Sequence, residues 1–224
     1  MVAERRGTLA VIIEKDFWVV WTLKHLFALD PRPPFIFKGG TSLSKAFGII
    51  ERFSEDIDLI VDRGYFGFEG PLDITAAPSR TKRLARLEEV RQRVADFNRA
   101  QLLPSLEARF SGILSELARL EVDAGQGETL HFYYPTDLQH DYIRPRVTIE
   151  MGGNADNWPT VAREVRPYLQ EEAACGDRRA SHRGHDHRRA ANAMGEAEYS
   201  TQDSSPTRHR SNVGAASTVF TALL

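Results

Sequence analysis

Apolar residues between Leu9 and Leu29 cover so broad a face around Glu14, Lys15 and Asp16 that the segment reads as a helix packed on most sides. Pro31, Pro33 and Pro34 end it. Phe35-Ile36-Phe37 then has the look of a short strand that enters the turn Lys38-Gly39-Gly40-Thr41, and Ser42 to Ile50 has the composition of a short following helix. The polar stretch Arg52-Phe53-Ser54-Glu55-Asp56 introduces a second strand, Ile57 to Val61, and Gly64 to Pro78 reads as a loop. From Thr81 to Leu120 apolar residues recur every three or four positions, which predicts helix, split or kinked at Pro104. Thr129 to Tyr134 and Arg146 to Met151 read as two further strands, neighbours on one sheet. The pattern predicts an α+β chain.

Beyond about Glu172 this order fades. Residues 171 to 224 hold four of the seven histidines and two aromatics, Tyr199 and Phe220, and show no periodicity before the last ten positions. On composition that stretch is a disordered tail. The chain is therefore divided into a core over residues 1–172 and a low-complexity tail over 173–224.

Length and charge narrow the function. A chain of 224 residues buries a real core. With 29 Lys and Arg against 31 Asp and Glu, it has no uniformly basic coat, so nucleic acid can be met only by a local patch. Its one cysteine, Cys175, makes neither an internal disulfide nor a cysteine-based zinc site, in keeping with a reducing cytoplasm. No apolar run reaches the roughly 18 residues that a membrane helix needs. The sequence thus predicts a soluble, cytoplasmic protein with no membrane association.

Chemistry enters with the acids. Asp56 and Asp58 are two apart at the start of a strand, so both carboxylates share a face, and Glu150 lies near the end of another strand. Hard oxygen ligands of this kind suit Mg²⁺, which keeps waters and binds substrate phosphates as well. An isolated Asp-x-Asp is common. Here it stands 16 positions after Gly40, and Gly39-Gly40-Thr41 sits between strand and helix, where free backbone N–H groups suit phosphate. The gap admits one short helix and a return to a neighbouring strand, so turn and acids can face one cleft.

These paired motifs, Lys38-Gly39-Gly40-Thr41-Ser42-Leu43-Ser44-Lys45 and Arg52-Phe53-Ser54-Glu55-Asp56-Ile57-Asp58-Leu59, resemble the AbiEii/AbiGii toxin family. Glu14-Lys15-Asp16 and Val147-Thr148-Ile149-Glu150 fit the same family, and the likeness covers about residues 9 to 172. The resemblance implies a polymerase-β-like nucleotidyltransferase core, a small mixed sheet with flanking helices. It also implies the toxin half of a toxin–antitoxin pair, acting in phage defence, with an antitoxin partner, an NTP substrate and transfer to the 3′ end of tRNA. By that likeness Asp56, Asp58 and Glu150 would be catalytic and hold two Mg²⁺ ions. Gly39, Gly40 and Thr41 would hold the triphosphate, with Lys38, Lys45, Arg52 and Ser54 completing the nucleotide site. A nucleotidyltransferase acting on an antibiotic-type small molecule, and a truncated remnant that only binds nucleotide or antitoxin, are the alternatives. Lys82, Arg83, Arg86, Arg91, Arg93 and Arg99 form a basic helix run, but Glu88, Glu89 and Asp96 are interleaved, as on an ordinary solvated face.

The family pattern continues with an Arg-Thr-x-Trp-Glu-Lys segment and a distal acid that this chain lacks. The genetic code permits one explanation. Met194-Gly195 is encoded by ATG-GGN, which one base later must read tryptophan, and the neighbouring codons permit Arg-Thr-x before it and Glu-Lys after it. A +1 shift of reading frame between about Ala173 and Arg189 would account for the break. His182, His185 and His187 would then be out-of-frame residues and no metal site.

Overall fold

The computed structural model describes residues 2–50, 53–114, 117–153, 160–173 and 218–223. By internal contacts the chain divides into one unit of Met1–Tyr168 with Ser217–Leu224 and a second of Leu169–Ala216. The expectations for Cys175 and for the histidines of the tail lie outside the described residues.

A short helix, α1 (Val2–Arg6), leads into α2 (Ala10–Phe27), which the apolar pattern predicted. Buried residues occur all round α2, from Val11 and Ile13 through Val19, Val20, Leu23 and Leu26, as an apolar helix must have when neighbours surround it. Strand β1 (Phe35–Lys38) buries Phe35 and Phe37. Helix α3 (Gly39–Lys45) begins at the glycines themselves, so the expected turn is the helix's first turn. Strand β2 (Asp56–Val61) follows.

Helix α4 (Arg80–Phe97) starts at Ser79, whose hydroxyl accepts the Lys82 backbone N–H at 3.3 Å as an N-cap does. Pro104 does not break the helical run. A π-type turn over Asn98–Leu102 precedes helix α5 (Leu103–Leu114), and this widened turn accommodates a proline that cannot donate a backbone hydrogen bond. Asn98 holds the turn by donating to the Gly127 carbonyl at 3.0 Å. The helix expected as far as Leu120 stops sooner, because Arg119–Val122 is a strand, β3. Four alternating residues there are too few to overrule a helical period set upstream.

Strands β4 (Thr129–Tyr133) and β5 (Arg146–Gly152) pair antiparallel, as their spacing suggested. The core sheet has the order β3-β4-β5-β2-β1, with β2 parallel to β5 and the other pairs antiparallel. Two strands absent from the sequence reading, β6 (Thr160–Val165) and β7 (Thr218–Leu223), extend it beyond β1. Six residues of the stretch expected to be tail are thus in the sheet. Without them β1 would present an open edge.

One face of the sheet carries the core. Phe35, Phe37, Ile57, Leu59, Leu130, Phe132, Val147 and Ile149 are all buried there with Leu23, Val90, Val94, Leu106 and Phe110 of the helices. Trp21 seals the contact, 4.7 Å from the Phe110 ring and 5.7 Å from the Phe132 ring. Because side chains alternate along a strand, the opposite face receives Lys38, Asp56, Asp58, Thr148 and Glu150. Burying this hydrophobic set on one face fixes the register, and the register fixes which polar residues meet on the other. Among the described residues no helix is long and apolar enough to cross a membrane.

Candidate functional site

Across the polar face, Lys38 of β1 is in register with Asp58 of β2, and Asp58 is in register with Glu150 of β5. One step along, Asp56 is in register with Thr148. The three acids expected to cooperate are therefore on two adjacent parallel strands. They form a row and not a closed cage: among the described residues, no three His, Cys, Asp or Glu side chains are grouped closely enough to hold an ion by themselves.

The row is short of positive charge. Burial pushes the Asp58 carboxyl above its ordinary pKa, Lys38 at 4.0 Å pulls it back, and Asp56 raises it further. Glu150 is likewise pushed up, by burial first and then by Asp58 and Asp56, with Lys38 opposing. Two carboxylates that repel each other, Asp58 half-buried and Glu150 nearer the solvent, are a donor set that gains from a divalent cation. Asp56, Asp58 and Glu150 fit Mg²⁺ in that sense. Magnesium takes only one or two carboxylates from a protein and completes its shell with water and substrate phosphate, so a row suffices where a cage is absent.

Gly39 sets the distance between α3 and this row. Its φ is +76°, and a Cβ placed on it would lie 1.9 Å from Asp58 Oδ2. Only a residue without a side chain lets the helix start press against the carboxylate. Thr41 fastens the same junction, its buried hydroxyl donating to the Asp56 carbonyl. Gly40 lies in the first turn of α3 beside it.

Lys45 is placed elsewhere. Expected at the nucleotide, it stands in the last turn of α3, where its Nζ pairs with Asp16 at 2.9 Å, both side chains buried, and lies 3.8 Å from the Tyr168 ring centroid. Asp16 also accepts the Tyr168 backbone N–H at 2.6 Å. A seven-residue helix separates its two ends, so the lysine that closes it cannot share the contacts of the glycines that open it. Lys45 anchors α3 to α2 instead. Ser54 is half-buried just ahead of β2, and Arg52 lies outside the described residues.

The other charged residues of α2 are tethers as well. Glu14 accepts from the Thr136 hydroxyl at 2.7 Å. Lys15, 1% exposed, donates to the Glu55 carboxylate and, at 3.0 Å, to the Arg144 carbonyl. Successive helix residues point about 100° apart, so three consecutive charges reach three segments. Lys15 joins the residue before Asp56 to the loop before β5.

That junction borders a pocket of about 230 Å³ lined by Lys15, Glu55, Asp56, Tyr142, Arg144, Arg146 and Thr148. The sequence reading missed Arg144, Arg146 and Tyr142. Alternation along β5 from Glu150 through Thr148 would have found Arg146, but Arg144 and Tyr142 belong to a loop without a period. Half of the basic run of α4 is taken up by neighbouring acceptors. Arg91 pairs with Glu128 at 3.0 Å, Arg93 with Glu89 at 3.5 Å, and Arg86 donates to the Asp73 carbonyl. A larger cavity, about 510 Å³, lies apart from the acids between Pro31, Tyr65, Gln101 and Arg109.

Comparison with protein families finds one that spans this site. The family described as nucleotidyl transferase AbiEii toxin, type IV TA system, matches residues 21–181, well over half of the chain. No curated protein and no solved structure matches the chain.

Proposed function

Because this chain belongs to the AbiEii nucleotidyl transferase toxin family, we propose that it transfers a nucleoside monophosphate from an NTP to a 3′-terminal hydroxyl of RNA, with tRNA as the acceptor class and Mg²⁺ as the required ion. Membership of the family makes it a nucleotidyltransferase toxin with an antitoxin partner and an NTP substrate. One observation carries the finer reading: Asp58 stands in register with Glu150 on parallel strands, with the glycine start of α3 pressed against it.

In this reading the acceptor hydroxyl oxygen forms a bond to the α-phosphorus, the bond from that phosphorus to the bridging oxygen breaks, and pyrophosphate leaves. Asp56 and Asp58 would hold Mg²⁺, which supplies charge neutralisation on the phosphates when bound. Glu150, whose carboxyl is pushed up, accepts the hydroxyl proton or shares the ion. Gly39, Gly40 and Thr41 cradle the triphosphate, and Lys38, 4.0 Å from Asp58, faces its negative charge. Ser54 and Arg52 lie just ahead of the acids in sequence. Lys45 acts through α3, as a positioning residue.

The test is transfer of α-labelled NTP to bulk tRNA by the full chain with Mg²⁺, resolved on a denaturing gel, beside Asp56→Asn and Asp58→Asn. Label on RNA that falls by about a hundredfold or more in either variant supports the reading. Label on small hydroxyl acceptors alone would replace it with the small-molecule transferase. A second reading, a remnant that binds without turnover, is favoured by the missing Arg-Thr-x-Trp-Glu-Lys segment; retained NTP binding with no label on any acceptor would establish it. The tail after about residue 172 belongs to this second question, and we read it as out of frame.

A further inference from the structure

The polar face carries a second charge pattern that the acid row does not use. Arg146, Thr148 and Glu150 alternate along β5, and Thr148 and Glu150 are the register partners of Asp56 and Asp58. Arg146 therefore lies beyond Asp56, on the side away from Asp58 and Gly39. At about 3.3 Å per residue, two positions carry it some 7 Å along the strand. Arg144 and the 88% exposed Tyr142 close the same pocket from the loop before β5.

Charge there is unbalanced in the opposite sense to the row. The Lys15 ammonium is matched by Glu55. Neither the Arg144 nor the Arg146 guanidinium has an ion pair or side-chain hydrogen bond among the described residues, whereas Arg86, Arg91 and Arg93 of α4 do. Two unpaired guanidinium groups beside a buried lysine suit phosphate, which they bind bidentately. An exposed tyrosine ring at the rim suits a base laid on its face. At about 230 Å³ the pocket falls below the roughly 300–1,000 Å³ of small-molecule sites. It admits a phosphate with part of its sugar and leaves the rest of the ligand outside.

We infer that Arg144 and Arg146 hold a backbone phosphate of the acceptor strand, with Tyr142 under a neighbouring base, so that Asp56 lies between the acceptor's phosphate on one side and the incoming triphosphate on the other. This rests on the transferase reading for its orientation. It adds the residues that would meet the acceptor strand and the side from which it is bound, the β5 side. The basic run of α4, where Glu88, Glu89 and Asp96 are interleaved and Arg91 and Arg93 are already paired, takes no part.

Binding separates this from turnover. A short fluorescent single-stranded RNA with a free 3′-hydroxyl is titrated by anisotropy at several salt concentrations against the full chain, Arg144→Gln, Arg146→Gln, Arg146→Lys, and Lys82→Ala with Arg83→Ala on α4. Binding of a fluorescent NTP analogue and a thermal melt are recorded for each. Each arginine-to-glutamine change is expected to weaken RNA binding about fivefold or more and to lower the salt slope by about one. NTP binding should hold, Arg146→Lys should keep the slope while losing affinity, and the α4 variant should match the parent. Arg144 is exposed, so its variant stays folded even if Arg146→Gln does not. Unchanged RNA binding in the folded variants overturns the inference, as does loss of NTP binding in its place, which would give the pocket to the triphosphate. A parent chain that binds no RNA overturns it too. RNA binding that depends on both arginines in a chain that transfers no label leaves the site standing and removes the transferase reading.

Discussion

Gly39→Ala tests the junction on which the site depends, and Gly48→Ala is its internal control. Both glycines have positive φ, +76° and +63°, but a Cβ at Gly48 would meet nothing within 4 Å, whereas at Gly39 it would fall 1.9 Å from Asp58 Oδ2 and 2.6 Å from Cγ. Left-handed backbone costs an alanine about 1–2 kcal/mol, offset by about 0.4–1 kcal/mol from its smaller unfolded-state entropy. Gly48→Ala should therefore lose about 1 kcal/mol, or roughly 2–4 °C in Tm for a chain of this size. Gly39→Ala bears that cost and must also push Asp58 aside, an overpacking term of about 1–3 kcal/mol, so its Tm should fall by roughly 5–15 °C. The decisive comparison is a double-mutant cycle by chemical denaturation. In an Asp58→Ala background the obstruction is gone, and Gly39→Ala should cost no more than Gly48→Ala does. A coupling of about 1–3 kcal/mol is expected between positions 39 and 58. Equal costs of Gly39→Ala in the two backgrounds would refute the contact, and with it the seating of α3 on the Asp58 carboxylate. Displacing that carboxylate by an ångström should also lower transfer about a hundredfold.

Two further expectations follow from the charges, and a third from the reading frame. Asp58 and Glu150 bind protons more tightly in the folded chain than in the unfolded one, so they lower stability as pH rises through their raised pKa values. Asp58→Asn should consequently melt higher than the parent at neutral pH while losing transfer, and Mg²⁺ should raise the melting temperature of the parent but not of the variant; a lower Tm for Asp58→Asn would contradict the repulsion. His25 behaves in the opposite direction, because burial, then Arg109 and Lys24, hold its pKa down to about 4. Acidifying from about pH 6.5 to 4 should cost on the order of 3 kcal/mol, a loss that His25→Gln should abolish in pH-dependent denaturation curves, and an unaltered curve would show His25 to be hydrated. Sequencing the gene across the codons for Leu169 to Ala197 should show a missing or extra base; an intact printed frame with no Trp-Glu-Lys segment in the alternative frame would retire the frameshift and favour a remnant.

Much of the architecture was legible in the sequence because it depends on local periodicity. The apolar face of α2, the alternation in β2 and β5, and the glycine turn ahead of Asp-x-Asp each specify an element from neighbouring residues alone. They also specify that Asp56 and Asp58 share a face. The short strands β3 and β6 and the pairing of β7 with β1 were not legible, since a few alternating residues acquire strand geometry from a sheet edge that only the folded chain supplies. Register is the clearest case. Sequence put Glu150 on a strand, but only the parallel pairing of β2 with β5 made it the neighbour of Asp58 and left Arg146 beside Asp56. Lys45 shows the limit from the other side: its motif suggested nucleotide, and the packing of α3 on α2 gave it Asp16. Residue type and spacing set which groups can do chemistry, while the long-range hydrophobic register of the opposite face decides which of them meet.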